Sequence, residues 1–277
     1  MHKWTHSAAG GTSHRLKPGF AIVRVPPPGW APEGYVAPKQ ATKLITKNDV
    51  FVYDALKTPQ FWLIWWVLCL NVTAGIGVLG QASAMSQEMF PGHITPIAAA
   101  GFVGLMSLFN MGGRFFWAST SDYIGRKNTY FVFMVLGFAL YCTVPYAGSI
   151  GSVALFVTCF LVIISMYGGG FATVPAYLKD MFGTRYVGAI HGMLLTAWSA
   201  AGVFGPVLVN YIREYNVTHG VPKAQAYNTT MYIMAGLLVI GFICNSLIKA
   251  VHERYHMKTD DARAHDGAIG RPAAARA

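Results

Sequence analysis

The stretch N-M-G-G-R-F-F-W-A-S-T-S-D-Y-I-G-R-K, residues 110–127, sets one arginine, Arg114, inside a long apolar run. A compact charged turn follows, with Asp122, Gly125, Arg126 and Lys127. A charge surrounded by apolar sequence is expensive in a bilayer unless it faces a cavity or a partner. A short basic turn between two apolar runs is what joins two membrane spans on the basic side of a bilayer. Together they point to a membrane carrier.

The composition around this stretch agrees. Hydrophobic residues make up 54% of the 277 positions and charged residues 12%, against about 25% charged in an ordinary soluble domain. Asn128 to Leu178, Tyr186 to Ile212 and Ala224 to Ile248 contain no Asp, Glu, Lys or Arg. Apolar stretches of about 20 residues are what a helix needs to cross the hydrocarbon core. The net charge of +10 sits mostly at the two ends: eight of the 21 Lys and Arg precede Phe61 and six lie from Lys249 onward. No basic stripe interleaved with aromatics runs along the chain, which argues against nucleic acid as a partner. Cys69, Cys142, Cys159 and Cys244 lack metal-ligand spacing and read as small apolar fillers. No cleavable secretory signal is evident ahead of the first apolar run.

Six spans are expected, at 60–82, 96–118, 128–147, 152–175, 188–211 and 229–251. Phe61, Trp62, Trp65 and Trp66 form an interfacial aromatic belt at the start of the first. The segments 1–57, 119–127, 176–187 and 252–277 carry basic residues, whereas 83–95 and 147–151 carry none. Only 212–228, with Arg213 and Lys223, dilutes the alternation. The arrangement predicts both termini on the cytoplasmic side of a multi-pass protein of a bacterial inner (plasma) membrane. Gly188 and Gly192 make a small-xxx-small step, and Gly202, Gly205 and Pro206 mark a kink or thin face in the same span. Gly168-Gly169-Gly170 and Pro175 disturb the fourth span. Close helix packing and breaks that let a carrier rock are both open for these glycines.

With Ala118 as the last helical residue, Arg114 lies about four residues from the basic end. It then reads either as a snorkelling side chain or as a ligand whose planar fork grips a carboxylate. Asn110 shares its face, four residues away. The turn Asp122–Lys127 reads either as a plain topogenic loop meeting anionic headgroups or as a latch between helix bundles. Asn71, Thr73, Gln81, Asn110, Tyr141, Tyr167, Thr196 and Trp198 either line a path or satisfy neighbouring helices. His191 is either a proton relay or an interhelical histidine. There is no paired carboxylate within the spans, no G-x-S-x-G elbow and no phosphate-binding loop, so an enzyme is not indicated and no cofactor is expected.

The segment A-S-T-S-D-Y-I-G-R-K at 118–127 resembles the G-x-x-x-D-R/K-x-G-R-R/K signature of the major facilitator superfamily. Asp122, Gly125, Arg126 and Lys127 match, while Ala118 and Tyr123 depart from it. V-P-P-P-G-W at 25–30, K-T-P-Q-F-W at 57–62, L-N-V-T-A-G-I-G at 70–77 and Y-G-G-G-F-A-T-V-P-A-Y at 167–177 resemble the oxalate/formate antiporter branch and related monocarboxylate carriers. The resemblance implies an all-α polytopic membrane protein, its six transmembrane helices similar to the C-terminal six-helix bundle of such a transporter. It implies a Pro/Gly-rich basic segment at 1–57 as central-loop remnant, a bundle at 58–251 and a disordered cytoplasmic tail at 252–277. Arg114 matches a substrate-binding cation of helix 8, and the T-A-K pattern of helix 11 appears as Thr196-Ala197-Trp198. Asn110, Trp198, Tyr167, Asn71 and Gln81 complete the implied substrate site, and Asp122, Gly125, Arg126 and Lys127 the cytoplasmic gate.

The implied function is alternating-access antiport or symport of a small organic anion, with a coupled proton or counter-anion. One cation favours a monocarboxylate such as lactate, pyruvate or formate over oxalate. The implied partners are a missing N-terminal six-helix half or a second copy of the chain, and membrane lipids. An inactive truncated carrier or a noncatalytic membrane accessory subunit is the alternative.

Overall fold

The computed structural model describes residues 44–46 and 48–257. Helix α1 spans Val52–Leu56, α2 Pro59–Met89, α3 Pro96–Ile124, α4 Arg126–Ser149, α5 Val153–Phe182, α6 Val187–Leu194, α7 Thr196–Thr218 and α8 Asn228–Leu247. Short 3-10 turns occupy Lys223–Gln225 and Glu253–Tyr255. The described residues contain six spans long and apolar enough to cross a membrane, with α6 and α7 together forming the fifth. The all-α, six-span class expected from the sequence is the one observed. The Pro-rich run at 25–30 lies outside the described residues.

Local chemistry sets where the spans begin. Thr58 and Thr95 each precede a proline that opens a helix, and their hydroxyls accept from the amides of Phe61 (3.3 Å) and Ala98 (3.2 Å). Proline costs nothing at that position because its missing N–H would lack a partner anyway. Ser152 caps α5 through the amide of Leu155 in the same way (3.3 Å).

The helix ends differ from expectation. Helices α2, α3 and α5 run on to Met89, Ile124 and Phe182, well past the expected 82, 118 and 175. Hydropathy marks where a helix leaves hydrocarbon, not where it stops. The overhanging turns are polar but return their hydroxyls to their own carbonyls: Ser86 to Ser83 (2.8 Å), Thr120 to Phe116 (2.8 Å) and Ser121 to Ala118 (2.7 Å). The last span is shorter than expected. It ends at Leu247, because Ile248 is extended and Lys127 Nζ takes the carbonyls of Ser246 (3.1 Å) and Ile248 (2.7 Å). A lysine on the last carbonyls of a helix satisfies acceptors that would otherwise lack donors.

The spans lie in the order α6–α7, α2, α8, α4, α5, α3, each packed most extensively on its neighbour in that series. The most apolar stretches of α2 and α5 are 67% and 61% buried, those of α3 and the α6–α7 span 22% and 28%. Helices α2 and α5 therefore form the core, and α3 and α7 keep broad open faces.

The closest packing joins α3 to α5. A Cβ at Gly113 would overlap the backbone of Ser165, one at Gly168 the backbone of Asn110, and one at Gly169 the Trp117 side chain. Gly168-Gly169-Gly170 and Pro175 thus lie within a continuous α5, and the first two glycines serve close approach. The expected Gly188–Gly192 step meets open space, as does Gly202, whereas Gly205 rests against Gly77 of α2. The irregularity in the fifth span falls at Leu195, where Thr196 Oγ1 donates to the Met193 carbonyl (2.8 Å), and not at Pro206.

Between α3 and α4 the chain reverses at Gly125, whose φ of +87° a side chain would resist. At this end the segment before α1 covers the last carbonyls of α5: Thr46 N donates to Asp180 O (2.8 Å) and Val50 N to Phe182 O (2.9 Å). Of residues 252–257, Glu253–Tyr255 form the 3-10 turn. His256 bridges to Val50, and Met257 N donates to Asp49 O (2.9 Å). The remainder of the tail lies outside the described residues.

At the opposite end Arg213 of α7 binds Glu88 of α2 bidentately, its Nε at 3.0 Å from Oε2 and its Nη2 closing the fork. Arg213, which dilutes the basic-loop alternation, is thus ion-paired to a carboxylate of a neighbouring helix. Close packing at Gly113 yields a paired test. Gly113→Ala should lower the unfolding midpoint in detergent, at a cost of about 1–3 kcal/mol. Gly112, its neighbour with nothing within 4 Å of a built Cβ, should tolerate alanine with no loss. Equal midpoints for the two variants would rule out the α3–α5 contact as described.

Candidate functional site

Arg114 lies in the middle of α3, ten residues before Ile124. At 1.5 Å per residue that is about 15 Å from the helix end, whose last turns past Ala118 are polar. The four-residue distance to Ala118 is the distance to the end of the apolar run, and the longer helix leaves it unchanged. Arg114 is exposed on the open face of the chain and makes no hydrogen bond or ion pair with any described residue. Its guanidinium carbon instead stands 5.1 Å from the ring centroid of Phe171 on α5. The ring face attracts the cation and takes up none of its N–H donors.

Phe171 extends this contact to a third helix. Trp198 of α7 meets it edge-on, with centroids 4.9 Å apart, and lies 5.2 Å from Tyr167. Trp65 Nε1 donates to Thr196 Oγ1 at 2.9 Å, which ties the start of α7 to α2 beside Trp198. Tyr167 is pressed against Gly75, where a Cβ would overlap its ring. Arg114, Tyr167 and Trp198, anticipated from sequence, are therefore brought together by Phe171, which was not. The available signal was spacing: Phe171 is four residues after Tyr167 and shares its helix face.

Beside Arg114 opens a recess of about 370 Å³. Ser107, Asn110 and Arg114 form a polar stripe along one side, and Met106, Leu79 and Ile164 form an apolar wall. The Asn110 amide has no hydrogen-bond partner among the described residues. Asn71 and Gln81 are not brought to this recess. Asn71 is buried on the far side of Tyr167, against a narrow void shared with Tyr141, and its Nδ2 has no described partner. Gln81 follows Leu79 by two residues, which turns it roughly 200° away around the helix.

Several second-rank polar residues have structural partners. Tyr141 donates to Ala74 O (2.7 Å), Thr73 to Cys69 O (2.7 Å) and Thr196 to Met193 O. His191 Nδ1 is buried and has no described partner.

The Asp122–Lys127 segment is more helical than a loop. Asp122 occupies the last turn of α3 and pairs with Arg126 across Gly125. Arg126 also donates to Ser121 Oγ, and its Nε lies 4.0 Å from Asp180 of α5. Lys127 caps α8, and Asn245 of that helix donates back to Lys127 O (3.0 Å). The segment therefore locks α3, α4, α5 and α8 together at one end. The Asp122 side chain remains 63% exposed, so this carboxylate has acceptor capacity to spare.

A family model for the Major Facilitator Superfamily matches residues 18–206. The chain is 31% identical over 162 residues to the oxalate:formate antiporter of Oxalobacter formigenes, covering 58% of this chain and 38% of that protein. Over 170 residues it is 22% identical to the uncharacterized MFS-type transporter YhjX of Escherichia coli (strain K12), covering 60% and 41%. Over 141 residues it is 25% identical to the sialic acid transporter NanX of the same strain, covering 50% and 34%. The chain thus spans about two-fifths of the length of the curated relatives it matches. Six apolar spans, the Asp122–Lys127 segment and a family match over more than half of the sequence lead to one conclusion: the chain belongs to the Major Facilitator Superfamily.

Proposed function

We propose that this chain is a six-helix half of a secondary carrier for small organic anions, corresponding to the C-terminal half, with Arg114 as the carboxylate ligand. The observation that carries this reading is the state of Arg114: within the apolar part of α3, over Phe171, its donors unused among the described residues, beside a recess. A cation so placed in a bilayer requires an anion or a polar cavity. The names of two relatives support carboxylates as the class, since oxalate, formate and sialic acid are all carboxylic acids.

In this reading Arg114 grips the carboxylate, Asn110 flanks it, and Tyr167 and Trp198 shape the aromatic side through Phe171. Trp198 stands where the related pattern has a second cation, so the site carries a single positive charge and suits a monocarboxylate such as lactate or pyruvate better than oxalate. A coupled proton or counter-anion balances the charge moved. The open faces of α3 and α7 support a second six-helix unit as the opposite wall. The Asp122–Lys127 end faces the cytoplasm in this scheme. Residues 1–57 lead into the bundle at 58–251, and residues 252–277 follow it on the same side of a bacterial inner membrane. Asp122, with its exposed carboxylate, would engage the other half as a gate.

Uptake of labelled lactate, pyruvate, formate and oxalate into proteoliposomes tests the proposal, with the chain alone and with a completing half. The isolated monomer should transport nothing and the completed carrier should show saturable uptake. Arg114→Gln should lower that uptake at least about thirtyfold, the worth of a charged hydrogen bond of about 2 kcal/mol, while the protein stays monodisperse. Uptake unchanged in Arg114→Gln removes the carboxylate assignment, and transport by a proven monomer removes the half-carrier scheme. Trp198→Lys supplies the second cation and should raise oxalate uptake relative to lactate by about tenfold or more, one decade per roughly 1.4 kcal/mol. A fixed ratio would show that Trp198 does not set the charge preference.

A further inference from the structure

We infer that the fifth span is hinged at Leu195, so that α6 moves as an arm with the segment before α1 while α7 stays fixed to the bundle core.

The first ground is that the two halves of this span are attached to different parts of the molecule. Helix α7 lies along α2. Its buried positions Ala197, Ala201, Gly205 and Val209 recur at every fourth residue, and a Cβ built at Gly205 or Gly77 would press on the backbone of the other helix. The Glu88–Arg213 fork fastens the far end of α7 to α2, and the Trp65–Thr196 hydrogen bond fastens its near end. Helix α6 packs instead on α5 and α1, with Ile190 and Leu194 as its buried residues. The residues leading into it are joined to the chain that enters the bundle. Asp49 Oδ1 accepts from Arg185 N at 3.1 Å, and Phe51 meets the Tyr186 ring edge-on with centroids 5.5 Å apart. Gly188 and Gly192 leave the exposed face of α6 without side chains to hold a neighbour.

The joint itself is the second ground. Leu195 has φ −62° and ψ −13°, well away from the α-helical ψ of about −42°. A local departure towards 3-10 geometry inside a helix is a common mark of a hinge. Thr196 Oγ1 donates to the Met193 carbonyl at 2.8 Å and accepts from Trp65 Nε1 at 2.9 Å. Back-bonding of this kind bends helices. Pro206, by contrast, lies within the fixed helix.

His191 is the third ground. Its Nδ1 is buried in α6 and has no described partner. A buried polar atom left unpaired is costly, so the observed position of the arm carries a penalty that a swing into polar surroundings relieves. Trp198 follows the joint by three residues and stands on the fixed side. The arm therefore swings without disturbing the contact of Trp198 with Phe171.

Spin-label distances in the full chain test the hinge, in lipid nanodiscs and with the four native cysteines replaced by alanine. Labels at Ala189→Cys of α6 and at Val203→Cys of α7, both exposed positions, are each paired with one at Phe115→Cys on the open face of α3. The 189–115 pair should show two distances and the 203–115 pair one. Trp65→Phe keeps a ring but no donor. It should raise the minor 189–115 population about threefold or more, the worth of one modest hydrogen bond. Thr196→Val removes the same bond and should give the same shift if Trp65→Phe fails to fold. A single distance for both pairs, two distances for both, or populations indifferent to both variants would overturn the hinge.

Discussion

The contact on which the rest depends is the backbone approach of α3 to α5. Gly113 lies on Ser165, and Gly168 and Gly169 lie on Asn110 and Trp117, with no room for a methyl group. Within a bilayer no hydrophobic force drives helix on helix, so association relies on close van der Waals contact and hydrogen bonding between helices. The same approach sets the site, because the residue after Gly113 is Arg114 and the residue after Gly170 is Phe171. A helix separation enlarged by one methyl group would lift the guanidinium away from its ring. The packing of α3 on α5 and the placing of Arg114 over Phe171 are thus two readings of one interhelical distance.

That contact also explains the exposure of α3. Its buried positions Ala99, Phe102, Met106, Gly113, Trp117 and Ser121 recur at intervals of three, four and seven and make a single seam. Most residues off the seam are open, including Phe115, Phe116 and Leu108. The ends of the bundle are held by polar groups instead. At one end are Asp122, Arg126, Asp180 and Lys127, and at the other the Glu88–Arg213 fork. Apolar close packing in the middle and ion pairs at the ends match the surrounding medium, since charge pairs are tolerable where water or headgroups share their solvation.

Much of this was legible in the sequence, for identifiable reasons. The six spans follow from uncharged apolar runs, and the helix starts from Thr-Pro and Ser signals that act locally. Arg114 was conspicuous because one charge in an apolar run has few explanations. Helix ends were misjudged where polar residues back-bond to their own helix. Phe171 escaped notice since one phenylalanine among 17 carries no mark until a neighbouring helix brings a cation to it. Glycine spacing pointed at Gly188 and Gly192, yet the packing uses Gly113, Gly168 and Gly169: spacing shows where helices can meet, and the partner decides where they do. Glu88 and Arg213 are 125 positions apart, a pairing that no local pattern encodes.

The ring beneath Arg114 bears on how a single cation could serve a carrier at all. A site that binds an anion must also exist empty, and an uncompensated cation in a low-dielectric bundle is costly in that state. A neighbouring carboxylate would remove the cost but would compete with the substrate and cancel the charge that attracts it. Phe171 offers a weaker compensation: its π-face lowers the energy of the unloaded cation, by about 2 kcal/mol in desolvated examples, and consumes no donor. The difference between loaded and empty states is thereby reduced but not abolished. In the proposed carrier that is the useful condition, because an anion held too tightly would not leave on the other side. In the same proposal Trp198, in place of a second cation, acts in the same direction and leaves the balance of charge to one guanidinium, one aromatic face and the substrate.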